Sequence, residues 1–93
     1  MTWLDTQPTD KVDAALADYV KMGRPMAGHT DDDRFGLWLL LVDRKISRFA
    51  GIGLFDLADT NSRDAYEAGE SPKEHAREAL ASDDTFSAMF GGE

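Results

Sequence analysis

Asp31-Asp32-Asp33-Arg34-Phe35-Gly36-Leu37-Trp38-Leu39-Leu40-Leu41-Val42-Asp43-Arg44-Lys45-Ile46-Ser47-Arg48-Phe49-Ala50-Gly51 decides the fold. Phe35, Trp38, Leu39, Val42, Ile46 and Phe49 recur at steps of three and four, the pattern of a core-facing helical stripe. Thr30 or one of the three aspartates can cap the free N–H groups at the start. The remaining carboxylates sit at the positive end of the helix dipole. Arg44, Lys45 and Arg48 lie near the other end, where cations are favoured, and Gly51 suits the left-handed residue just beyond. One helix over about 32–50 is expected, with the rest of the chain packed around it.

The back of this helix is unusual. Leu37, Leu40 and Leu41 point away from the stripe, so the helix is apolar on most sides, as buried helices are. The same sector carries Arg34, Arg44, Lys45 and Arg48. Arg34, Leu37, Leu41, Arg44, Lys45 and Arg48 therefore make a leucine–basic band, the candidate surface for an acidic helical partner or a second copy of the chain. The plain alternative is that the bundle covers these leucines and acids such as Asp13, Asp18, Glu74 or Glu78 neutralise the cations.

Outward from this helix, the elements are short. Trp3 and Leu4 in the lead segment, residues 1–8, are expected to fold back onto the core; the alternative is an aromatic hook for a partner. Thr9 or Asp10 can cap a helix from Lys11 to Met22. Val12, Leu16, Tyr19 and Val20 would face inward with Ala15, and Gly23 and Pro25 end the helix. After Gly51-Ile52-Gly53, an apolar turn holds Leu54, Phe55 and Leu57. Asp59, Thr60 or Asn61 can cap a helix over Ser62 to Ala68, with Ala65 and Tyr66 inward and Gly69 as its stop. Ser71-Pro72-Lys73-Glu74 has an N-cap serine, a proline at the first helical position and a glutamate three residues on, a capping box. That helix runs to about Ala81 with Ala76, Ala79 and Leu80 inward. Ser82 or Asp83 then starts a turn with Phe86, Met89 and Phe90, either core packing or a docking motif, and residues 91–93 fray.

No stretch alternates long enough for a strand. The expectation is an all-α single domain over 1–93, a bundle of four to five short helices.

Composition narrows the function classes. The chain has 93 residues and no cysteine, which excludes disulfides, thiol nucleophiles and thiolate-bound zinc. Its net charge of −8 disfavours phosphate backbones and anionic membranes. The Leu37–Val42 run is too short to span a bilayer, and no leader pattern precedes the first helix, so a cytoplasmic location is expected.

Simpler roles account for the residues that resemble catalytic and metal motifs. His29 with Asp31 to Asp33 lacks the calcium-loop pattern and a converging zinc set, and capping accounts for these acids. Gly51-Ile52-Gly53 follows a helix and lacks a phosphate-binding lysine. Asp56, Asp59, Asp64 and Glu67 suit caps and solvated faces. Ser71 is a cap, and His75 is expected to be half-buried beside the inward stripe of its helix. The expectation is therefore no catalytic residues, no cofactor and no metal.

Ala65-x-x-x-Gly69-x-Ser71 followed by a helix fits the turn of a helix-turn-helix over residues 62–81. The second helix balances Lys73 and Arg77 with Glu74 and Glu78, and His75 stands where an aliphatic residue is usual. A generic helical corner is the simpler reading, and a DNA-binding regulator the alternative.

Trp38-x-x-x-Val42-Asp43-Arg44-x-Ile46, Gly53-x-x-x-Asp56-Leu57-x-Asp59, Arg63-Asp64-x-Tyr66-x-x-Gly69-x-Ser71-Pro72 and Ala76-Arg77-x-Ala79-Leu80 together resemble a group of small acidic helical proteins. These come from actinobacterial, mycobacterial-type phages and mobile elements and are of unknown function. The resemblance covers about residues 35–82 and carries no catalytic residues. It implies a non-enzymatic intracellular accessory protein that binds a host protein, in some cases inhibiting a host process.

Overall fold

The computed structural model describes residues 1–54 and 61–82. Phe55, Leu57, the Asp59 and Thr60 caps, the Phe86, Met89 and Phe90 trio and the terminal 91–93 segment lie outside them. The described chain is all-α. A 3-10 turn at Trp3–Thr6 precedes α1 (Thr9–Lys21), α2 (Asp33–Ala50), α3 (Ser62–Glu67) and α4 (Pro72–Ser82).

Helix α2 forms where its ends and stripe agree. Asp32 is the cap, its Oδ1 accepting the Arg34 and Phe35 N–H groups at 3.0 and 3.2 Å. Gly51 closes the helix with φ 72°. Phe35, Trp38, Leu39, Val42 and Ile46 are buried. Phe49 departs from the expected stripe: it stays 58% exposed, because among the described residues nothing covers the last turn of α2 on that side.

The helix is buried on its back as well. Leu37 and Leu40 are interior, and Leu41 packs partly buried against the core. The 3-10 turn and α1 supply that cover through Leu4, Val12 and Tyr19, with Trp3, Ala15 and Leu16 partly buried beside them. Tyr19 is fully buried, and its hydroxyl accepts the Met26 N–H at 3.2 Å, anchoring the following loop. Its ring lies against the backbone of Gly36: an added Cβ there would meet Tyr19 Cζ at 2.8 Å. Glycine is therefore what lets α1 approach α2 at this point.

Two expectations for α1 change. It begins at Thr9, with Pro8 at the cap position and no side-chain cap. Val20 is exposed, because the inward face centres on Val12, Ala15, Leu16 and Tyr19 and leaves it on the shoulder.

Helices α3 and α4 pack on the front of α2. Ala65 and Tyr66 face inward from α3, and Ala76, Ala79 and Leu80 from α4. Gly69, at φ 87°, ends α3 with its N–H on Tyr66 O while the Glu70 N–H reaches Ala65 O, a Schellman closure. The N-cap half of the expected box in α4 is formed, the Glu74 N–H donating to Ser71 Oγ, while Glu74 Oε1 accepts from the Ser71 hydroxyl rather than from its backbone N–H. Asn61 precedes α3 in a left-handed conformation, without a side-chain cap bond.

Candidate functional site

The leucine–basic band divides into two parts. At its N-terminal end, Arg34 Nη2 pairs with Asp5 Oδ1 at 2.8 Å. Asp5 also accepts the backbone N–H and the hydroxyl of Thr2, and these bonds, with Arg34, hold its carboxyl below the usual range. Arg24 pairs with Asp33, and Arg63 with Glu67 and Asp32. These arginines tie the loop before α2, the 3-10 turn and α3 to the start of α2.

The C-terminal end is different. Among the described residues, Arg44, Lys45 and Arg48 have no acidic partner; Arg44 reaches only Met22 Sδ at 3.8 Å. The exposed side chains of Met22 and Phe49 accompany this ridge. Neutralisation by the protein's own acids, the alternative reading, occurs at Arg34 through Asp5, which was not among the acids named for it, and not at these three cations among the described residues.

Leu37 and Leu41 occupy different positions from those a flat surface band requires. Leu37 is 4% exposed and belongs to the core, because the 3-10 turn and α1 cover it. It offers only the floor of a groove. Leu41 stands on the wall of that groove, an apolar notch of about 210 Å³ lined also by Trp3, Leu4, Val12 and Ala15, with Lys11 beside it. Leu41 lies one helical turn from Arg44 and Lys45, so notch and ridge adjoin.

A second constellation was not anticipated. His75 is 2% exposed, more buried than its place beside the stripe suggested. Its ring lies 5.2 Å from that of Trp38, and Nε2 is 3.0 Å from Ser62 Oγ. Nδ1 points toward Glu70 Oε1 at 3.8 Å, too far for a hydrogen bond, and both atoms are buried without a hydrogen-bond partner. The Trp38 indole N–H donates to Glu70 O at 3.0 Å and fixes the turn that presents this carboxylate. Glu78 completes the group, with one ligand-type atom from each residue within 4.8 Å of the others.

The charges in this cluster press on each other. Hydrogen bonding with Glu78, burial, and repulsion from Glu78 and Glu74 push the Glu70 carboxyl up to about 7. Burial lowers the His75 imidazole, against an opposing pull from Glu78. The i, i+3 spacing of His75 and Glu78 was visible in the chain. Glu70 was not, because only the reversal at Gly69 brings it onto the same spot.

The α3–α4 corner has the form of a short helix, turn and helix. On α4 the inward residues are Pro72, His75, Ala76, Ala79 and Leu80, and the exposed Lys73, Glu74, Arg77 and Glu78 cancel in charge. No helix among the described residues is long and apolar enough to cross a membrane. No protein-family model, curated protein or solved structure matches the chain.

Proposed function

We propose that this chain is a non-enzymatic interaction module that binds an acidic segment of another protein across the notch and ridge of α2. The observation that carries this reading is the absence of any acidic partner for Arg44, Lys45 and Arg48 among the described residues, in a chain of net charge −8. Cations left without internal partners beside an apolar notch suit a segment that combines carboxylates with one bulky apolar side chain. Leu41, Arg44, Lys45 and Arg48 are its contact residues. Leu37 supports them from below, and Arg34 is engaged by Asp5. The resemblance to phage proteins makes a host protein, met in the host cytoplasm, the proposed partner.

The test compares the wild type with the double variant Arg44→Glu, Arg48→Glu as bait in an actinobacterial lysate, with and without nuclease. Both side chains are exposed, so the variant keeps its helicity and melting temperature. A host protein retained after nuclease by the wild type and lost by the variant is the expected result. Its affinity for the purified bait falls as salt rises. Retention by both proteins, or recovery only of nuclease-sensitive material, refutes the reading; the latter directs attention to duplex binding by residues 62–81. Self-association of the pure chain that is abolished by the same variant identifies a second copy as the occupant instead.

A further inference from the structure

The Glu70, His75 and Glu78 cluster shares no residue with the α2 ridge. Its geometry poses a problem that capping and core packing leave unsolved. The buried Nδ1 of His75 and the buried Oε1 of Glu70 face each other at 3.8 Å, and neither has a hydrogen-bond partner. Buried polar atoms are normally satisfied, so two orphans aimed at the same space need an explanation. A third acceptor, from Glu78, adjoins the same space.

We propose that Glu70, His75 and Glu78 bind one first-row divalent cation, with Zn²⁺ as the fitting probe. A zinc ion holds nitrogen and carboxylate oxygen at about 2.0–2.2 Å, so two atoms on the same ion lie about 3.4 Å apart in a tetrahedron and about 4.2 Å apart at the limit. The 3.8 Å between Nδ1 and Oε1 falls inside that span. The widest separation in the trio, up to 4.8 Å, has to close by as much as about 1.4 Å to reach the tetrahedral value. Glu78 is exposed and can make that movement by a change of rotamer.

The surroundings of His75 suit a ligand. Nε2 lies 3.0 Å from Ser62 Oγ, and in the tautomer that donates its proton to this hydroxyl the lone pair is left on Nδ1, on the side of the carboxylates. Metal-binding imidazoles are commonly oriented in this way by an acceptor on the far nitrogen. Trp38 packs on the ring, and its indole N–H holds the Glu70 backbone, so two ligands are fixed and one is adaptable. The imidazole favours zinc-like ions over Mg²⁺ and Ca²⁺, which prefer all-oxygen sites. Water from the exposed Glu78 side can fill the remaining coordination position.

The test is calorimetric titration of ZnCl₂, and separately of MgCl₂, into the full chain after treatment with a chelator and its removal. One equivalent of Zn²⁺ binds with micromolar or tighter affinity, and Mg²⁺ binds at least about tenfold more weakly. Glu78→Gln weakens Zn²⁺ binding by at least about tenfold with unchanged helicity, since the side chain is exposed. His29→Ala leaves the affinity unchanged. The proposal is overturned if Zn²⁺ does not saturate the chain, if Glu78→Gln binds it as well as the wild type, or if His29→Ala abolishes binding.

Discussion

Gly36→Ala puts the contact between α1 and α2 to a quantitative test. In an ordinary helix interior this exchange stabilises by about 1 kcal/mol, because alanine has the higher helix propensity. Here the new methyl would meet Tyr19 Cζ at 2.8 Å and come closer still to the hydroxyl. Tyr19 has no exposed surface and no free direction in which to turn. Displacing its ring or the whole of α1 costs about 1–3 kcal/mol, typical of overpacking in a dense core. If the shift also breaks the bond from the Met26 N–H, a buried donor loses its partner at a further cost of about 1–3 kcal/mol. The net result is a loss of about 0–2 kcal/mol if the Met26 bond survives and about 1–5 kcal/mol if it breaks, in place of the gain that propensity alone would give. Urea unfolding followed by far-UV circular dichroism measures it. Gly28→Ala is the control: its added Cβ meets nothing within 4 Å, so stability changes by less than about 0.5 kcal/mol. In the double variant Gly36→Ala, Tyr19→Phe, the loss is smaller than the sum of the two single losses, because the closest overlapping atom is gone. A Gly36→Ala protein more stable than the wild type by the full propensity gain of about 1 kcal/mol would refute the close approach.

Two further predictions concern the acid cluster and the stripe. With chelator present, the raised Glu70 pKa means that between its ordinary value of 4.5 and about 7 the folded chain holds a proton the unfolded chain releases. Unfolding free energy contributed by this group therefore falls as pH rises through that window, by at most roughly 3 kcal/mol at about 1.4 kcal/mol per unit. The depressed His75 acts in the opposite sense, with stability increasing as pH rises toward its ordinary value of 6.5. The difference between wild type and Glu70→Gln isolates the carboxyl, and parallel pH profiles for the two would sink the assignment. On α2, Ile46→Ala costs about 2–5 kcal/mol, whereas Phe49→Ser changes stability by less than about 1 kcal/mol. Equal losses in the two variants would mean that Phe49 is covered in solution.

Much of this was legible in the chain because it depends on local rules. A cap among Thr30 and Asp31 to Asp33, the Gly51 and Gly69 stops and the Ser71 cap follow from the needs of free N–H and C=O groups; the structure selects Asp32 from the four. The buried front of α2 followed from its period. What period cannot tell is where a neighbouring element stops, and so Phe49 and Val20 were misplaced. Met26 lies in a loop, and its burial depends on Tyr19, seven residues earlier. Period places Leu37, Leu41 and the cations on one side of α2. Only the packing of the 3-10 turn and α1 separates Leu37, which is interior, from the cations that remain on the surface. The histidine–carboxylate cluster had no periodic signature, since one of its members comes from a turn.

The leucines beneath α1 also govern how this chain fails. Leu37, Leu40 and Leu41 sit on the helix that already commits its other face to α3 and α4, so α1 and the 3-10 turn are their shield. An opening that released only this N-terminal cover would leave a compact remnant with an apolar flank facing water. Such partly open species associate more readily than fully unfolded chains, because their sticky surface is ordered and persistent. Aggregation should therefore follow the detachment of α1 rather than global melting, and mutations that loosen Tyr19 should lower solubility before they lower helicity.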